Sequence, residues 1–119
     1  MIWGAIDYGE KYCGLAYSPN GVNVFPVKIV SPEVLETALQ TLIEEKNIEG
    51  FVLGLPLSTD GTENRLCAQV KQLARRLKRQ FDLPIEFVDE RFSSKSVTGT
   101  GRIDDLAAAQ ILEYYLAQC

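Results

Sequence analysis

Two hydrophobic periods run along this chain, and the changes from one to the other mark out its elements. Ile2-Trp3-Gly4-Ala5-Ile6 is a nonpolar run ending on Asp7, which predicts a buried strand over 2–7. Asp7 to Lys11 is a tight polar turn, and Tyr12 to Ser18 predicts a second strand. Pro19-Asn20-Gly21 is a hairpin signal, because Asn-Gly tolerates the positive φ of short turns. Val22 to Val30 then predicts a third strand, and Pro26 within it calls for an edge position or a bulge.

Ser31-Pro32-Glu33 has the chemistry of a helix start: a capping serine, a proline at the first position and an acid at the positive end of the dipole. Val34, Leu35, Ala38, Leu39, Leu42 and Ile43 follow at helical spacing, and the helix should end near Lys46-Asn47. The apolar run within Glu49 to Leu55 predicts a strand buried on both faces. A loop over Ser58 to Thr62 leads into a long helix whose apolar stripe is Leu66, Cys67, Val70, Leu73, Ala74, Leu77 and Phe81. Pro84 to Asp89 predicts a fifth strand, Ser93 to Gly101 a loop, and Ile103 to Gln118 a closing helix. The order β-β-β-α-β-α-β-α predicts one α/β domain over residues 1–119, a mixed five-stranded sheet flanked by helices.

Composition narrows the chemistry. The chain has no histidine, so Ser-His-Asp and Cys-His nucleophile systems are excluded, and with them any histidine base or ligand. Cys13, Cys67 and Cys119 contain no C-x-x-C spacing and read as reduced structural cysteines. No stretch approaches the roughly 20 apolar residues of a membrane span. The opening apolar run is too short for a secretory signal, so the expected home is the cytoplasm.

The net charge of −4 hides a division along the chain. Residues 1–60 carry three basic and eight acidic side chains, a net of −5, while residues 61–102 carry nine basic and five acidic, a net of +4. Arg65, Lys71, Arg75, Arg76, Lys78 and Arg79 fall within one predicted helix. They form either a solvated face or a patch for a phosphate backbone.

Carboxylates stand at the ends of elements. Asp7 closes the first strand, Asp89-Glu90-Arg91 closes the fifth, and Asp104-Asp105 heads the last helix. Each has a local explanation: a turn cap, an ion pair with Arg91, and the helix dipole. Strand alternation puts Ile85, Phe87 and Asp89 on one face and Glu86, Val88 and Glu90 on the other, so Asp89 and Glu90 should not reach the same site. Helical spacing does not choose between Asp104 and Asp105, because both lie above apolar rows. Together, three or four converging carboxylates can hold two Mg²⁺ or Mn²⁺ ions for phosphodiester hydrolysis, a chemistry that needs no histidine.

The motifs resemble those of the YqgF, or RuvX-like, family of small bacterial proteins. Ile6-Asp7-Tyr8-Gly9-Glu10-Lys11 with Gly14-Leu15-Ala16 is similar to the family's opening motif. Gly54-Leu55-Pro56-Leu57 with Asp60-Gly61-Thr62-Glu63 is similar to its central signature, and Asp89-Glu90-Arg91-Phe92-Ser93-Ser94 to its Asp-Glu-Arg motif. Ile103-Asp104, with Ala107-Ala108 and Ile111-Leu112, resembles the closing helix. The resemblance implies a ribonuclease-H-like fold and a metal-dependent nuclease. It implies Asp7, Glu90 and Asp104 as the acidic triad, with Asp104 preferred to Asp105 because it stands nine residues before Glu113. Asp89 and Asp105 are further candidate ligands, and Gly54 and the Asp60-Gly61 loop would shape the rim.

Lys11, Arg65, Lys71, Arg75, Arg91, Lys95 and Arg102 are the candidate contacts to nucleic acid. The implied partners are structured RNA, above all precursor 16S rRNA, or branched DNA such as a Holliday junction. Ribosomal particles and a monomer or weak homodimer complete the expectation. Two departures stand out. The family's Lys-Arg in the first turn is Lys11-Tyr12 here, and its longer, often basic segment before the last aspartate is reduced to Phe92–Ile103. A non-catalytic nucleic-acid or ribosome-associated factor retaining the fold is therefore the competing expectation. The Asp7-Tyr8-Gly9 turn also resembles an actin-like ATPase phosphate loop, but the chain is long enough for only one of the two lobes such enzymes need.

Overall fold

The computed structural model describes residues 1–56, 64–89 and 104–118, and of residues 104–106 the backbone alone. The loop read over Ser58 to Thr62, the loop read over Ser93 to Gly101, and Cys119 lie outside the described residues. Five strands, β1 (Trp3–Asp7), β2 (Cys13–Ser18), β3 (Phe25–Val30), β4 (Gly50–Leu55) and β5 (Ile85–Asp89), form one sheet in the order β3-β2-β1-β4-β5. The first three strands are antiparallel neighbours, whereas β1–β4 and β4–β5 are parallel. Helices α1 (Leu35–Lys46), α2 (Arg65–Phe81) and α3 (Asp104–Ala117) complete the predicted order.

Two cores separate the layers. On one face Ile6, Cys13, Leu15, Phe51 and Leu53 pack with Leu35, Leu39 and Leu42 of α1 and Val70, Leu73 and Leu77 of α2. On the other face Trp3, Ala5, Ala16, Val52 and Val88 pack with Ala108, Ala109, Ile111 and Leu112 of α3. β1 and β4 therefore contribute to both cores, and this is why their sequences are nearly continuous apolar runs.

The third strand starts at Phe25 and not at Val22. The Asn20 side chain accepts the backbone N–H groups of Val22 (2.9 Å) and Asn23 (2.8 Å), which removes both donors from the sheet ladder. Pro26 sits on an edge strand and beside a bulge, since Leu15 pairs with Lys28 but Ala16 pairs with Pro26. The second strand starts at Cys13, with Tyr12 exposed before it. Ser31 makes no side-chain cap. A 3₁₀ turn over Pro32–Val34 comes first, and the α-helix begins at Leu35. The left-handed Asn47 ends α1 and the left-handed Asp82 ends α2.

Candidate active site

Asp7 is the last residue of β1 and half-buried. Trp3 and Ala5 lie in the α3 core and Ile6 in the opposite one, so strand alternation puts Asp7 on the face that α3 covers. Its partner across the antiparallel ladder is Gly14. On the parallel side Ile6 pairs with Leu53, so the same register brings Asp7 beside Gly54. Neither neighbouring strand places a side chain next to the carboxylate on that face, an arrangement that suits the close approach of a ligand.

Helix α3 delivers its first residues to the same end of the sheet. The Tyr115 ring meets the Trp3 ring edge-on at 5.1 Å, so the end of α3 lies over the beginning of β1. The helix therefore runs back toward Asp7, and its first turn carries Asp104 and Asp105. The side chains of those two acids lie outside the described residues, as does the whole of Glu90.

Val88 of β5 belongs to the α3 core, whereas Ile85 packs against the other. Asp89 therefore shares the Ile85–Phe87 face and points away from the side that holds Asp7. Among the described residues no three of Asp, Glu and Cys cluster as a metal site.

Cys13 follows the turn after Asp7, and its Sγ donates to the Gly9 carbonyl at 3.6 Å. Burial pushes this thiol's pKa up, and the Asp7 charge adds to the shift. The thiol stays protonated and supplies no nucleophile.

The cationic candidates separate. Lys11 is exposed in the turn after β1. Arg65 opens α2 and pairs with Glu10 at 3.6 Å across two exposed side chains. Lys71 and Arg75 instead line a cavity between α2 and β5, together with Lys78 and Arg79. Arg91, Lys95 and Arg102 lie outside the described residues.

Sequence reading missed two features. One is the cavity floor, Ile85 and Phe87, which joins side chains distant in sequence from the helix that walls them. The other is Asn64, whose Oδ1 accepts from Cys67 N at 2.9 Å while its Nδ2 donates to the Pro56 carbonyl at 2.7 Å. An asparagine just before an apolar helical stripe was the available signal for that cap.

A family model described as "RuvX: Holliday junction resolvase" matches residues 1–118. A "Putative pre-16S rRNA nuclease" of Maridesulfovibrio salexigens is 35% identical, with 96% of both chains covered. That alignment extends over 130 positions, more than the 119 residues here, so the relative carries residues that this chain lacks. A relative of the same name from Dictyoglomus turgidum is 42% identical over 76% of this chain and 67% of its own. Among solved structures, Thermus thermophilus RuvC in complex with Holliday junction substrate has a TM-score of 0.64 at 9% identity, covering 99% of this chain and 94% of that one. A second Thermus thermophilus RuvC structure gives the same TM-score at 11% identity. The fold is that of RuvC, a ribonuclease-H-like fold.

Proposed function

The chain belongs to the RuvX Holliday junction resolvase family, and from that membership we propose a metal-dependent endonuclease that hydrolyses phosphodiester bonds in structured nucleic acid. Its favoured substrate is precursor 16S rRNA, the substrate class in the names of its relatives, with the 5′ end the position that the family resemblance implies. One observation carries the reading: Asp7 ends β1 on the face covered by α3, and α3 runs so that Asp104 starts at that same end.

The donor set is carboxylate oxygen, the hard ligand type that suits Mg²⁺ or Mn²⁺. Asp7 and Asp104, joined by Glu90 from the residue after β5, would hold the ions, with Asp105 the alternative from the helix start. Bound ions of this kind lower the pKa of water and stabilise the leaving oxygen. Gly14 and Gly54 put no side chain beside Asp7 from the two neighbouring strands. Lys11 and Arg65, exposed at the same end of the sheet, steer phosphates toward it.

Calorimetric titration of Mn²⁺ into wild-type protein and Asp7→Asn tests the metal site. Cleavage of precursor rRNA and of four-way DNA junctions then tests the reaction. The expected results are binding and cleavage in the wild type and loss of both in Asp7→Asn. Full cleavage by Asp7→Asn or Glu90→Gln would sink the reading. Preferential cutting of the junction would move the substrate from rRNA to branched DNA. The short segment 92–103 supports a second reading, a nucleic-acid-binding factor without catalysis. Binding of RNA with no cleavage under either metal would establish it.

A further inference from the structure

The sheet face opposite Asp7 carries a second feature. A cavity of about 500 Å³ lies between α2 and the edge strand β5, walled by Lys71, Arg75, Lys78 and Arg79 and floored by Ile85 and Phe87. The spacing of Lys71, Arg75, Lys78 and Arg79 puts them along one side of α2. Arg76 is turned the other way and pairs with Glu36 at 3.0 Å. Among the described residues, Arg75, Lys78 and Arg79 take part in no ion pair. Phe87, on the edge strand β5, is 41% exposed, whereas the large rings of β1 and β4, Trp3 and Phe51, are buried.

We infer that this groove binds single-stranded nucleic acid, with a base stacked on Phe87 and the backbone phosphates held by the cations of α2. The chemistry of the walls and floor selects that occupant. A row of cations wants a polyanion, and a part-exposed ring at the base of the groove wants a flat, apolar partner. A single strand offers both at once. A duplex keeps its bases paired and stacked, so none can reach a ring recessed between a helix and a strand. Asp89 shares the Phe87 face at the end of β5 and limits the cationic run there.

The direction of the groove gives it a use. Helix α2 returns against the parallel strands β4 and β5, so its first turn lies at the end of the sheet where Asp7 stands, as the Arg65–Glu10 pair shows. The cationic run from Arg79 to Lys71 covers about 12 Å at 1.5 Å per residue and leads toward that end. A strand lying in it would round the sheet edge past β5 to reach the Asp7 face. Binding in the groove does not depend on cleavage. Only this onward path rests on the nuclease reading.

Fluorescence anisotropy of a short labelled oligoadenylate, with chelator present throughout, separates the two questions. Phe87→Ala and Phe87→Leu should each weaken binding by about 5- to 150-fold, the range of one lost base–aromatic stack. Phe87→Trp should bind at least as tightly as wild type. Lys78→Ala combined with Arg79→Ala should flatten the salt dependence, by about 0.7 in logarithmic slope for each phosphate no longer neutralised. Thermal unfolding should show the Phe87 variants still folding cooperatively, with Phe87→Leu closer to wild type than Phe87→Ala because it keeps more of the covered apolar contact. Wild-type affinity in Phe87→Leu would overturn the proposal, since an aliphatic side chain cannot stack. Equal affinity for the corresponding duplex, or displacement by polyglutamate as effective as by unlabelled oligoadenylate, would also overturn it.

Discussion

The Tyr115 ring stands edge-on to Trp3, with centroids 5.1 Å apart and planes at 67°. Trp3 begins β1 and Tyr115 lies in the last turn of α3, so this contact fixes the direction of the helix across the sheet. Asp104 and Tyr115 are eleven residue steps apart in the helix, about 16 Å at 1.5 Å per residue. Trp3 and Asp7 are four residue steps apart in the strand, about 13 Å at 3.3 Å per residue. The two paths are similar in length, which is how one aromatic contact registers the start of α3 with the acid at the end of β1.

Replacing Tyr115 by Leu should therefore lower stability by about 1 kcal/mol, because a leucine keeps much of the apolar contact but loses the ring geometry. Combined with Trp3→Leu in a double-mutant cycle, urea unfolding should return a coupling of about 0.5 to 1.5 kcal/mol. A coupling near zero would mean that the rings merely adjoin and that α3 is seated by its aliphatic residues, Ala108, Ala109, Ile111 and Leu112.

Two glycines lock the register of β1 against β4. Gly4 pairs with Phe51 and Trp3 with Gly50, so each large ring lies across a residue without a side chain. A Cβ on Gly4 would stand 2.6 Å from Phe51 Cε1, and one on Gly50 would stand 2.7 Å from Trp3 Cζ3. Phe51 is fully buried and its ring has no room to move. Gly4→Ala should cost about 1 to 3 kcal/mol in chemical denaturation, the usual range for overpacking. Phe51→Leu should recover part of that loss when added to Gly4→Ala. Additive costs in the double variant would show that the clash is relieved elsewhere.

Which parts of this are legible in the sequence follows from how local each cause is. The apolar runs of β1 and β4 and the stripe of α2 report burial residue by residue, so period alone finds them. The start of β3 escapes that reading because Asn20 captures the amides of Val22 and Asn23, a side-chain competition that hydropathy does not register. The separation of Asp89 from Val88 is readable from strand alternation, but the choice of face is not. That needs Val88 to be found in the α3 core. The basic groove is hidden for the same reason: Arg75 and Phe87 meet only once α2 is laid beside β5.

Asn64 holds two backbone groups with one amide, the Cys67 N–H and the Pro56 carbonyl. Asn64→Ala should cost about 1 kcal/mol for the lost cap and somewhat more for the unpaired carbonyl. Asn64→Asp separates the two roles. Its carboxylate can still accept from Cys67, and its charge favours the helix start, but it has no donor for Pro56. Thermal unfolding should rank the wild type above Asp and Asp above Ala. An Asp variant no better than Ala would assign the effect to the Pro56 contact and not to the cap.

Cys13 gives the fold a dependence on alkaline pH with a definite sign. Burial, and after it the Asp7 charge, raise the folded-state pKa above the ordinary thiol value of 9.0. The unfolded chain then loses this proton first as pH rises. The stabilising contribution is fully present below about pH 9, falls as pH climbs above that value, and is fully lost once pH passes the folded-state pKa. Urea unfolding of wild type and Cys13→Ala from pH 7 to pH 10 isolates the effect. The alanine variant should be less stable at pH 7, because it loses packing and the hydrogen bond to Gly9, and its stability should decline less steeply above pH 9. Native protein should also leave Cys13 unmodified by a thiol reagent at pH 8, where denatured protein reacts at once. Parallel pH profiles for the two proteins, or rapid labelling of native Cys13, would show that the buried thiol ionises as freely as an exposed one.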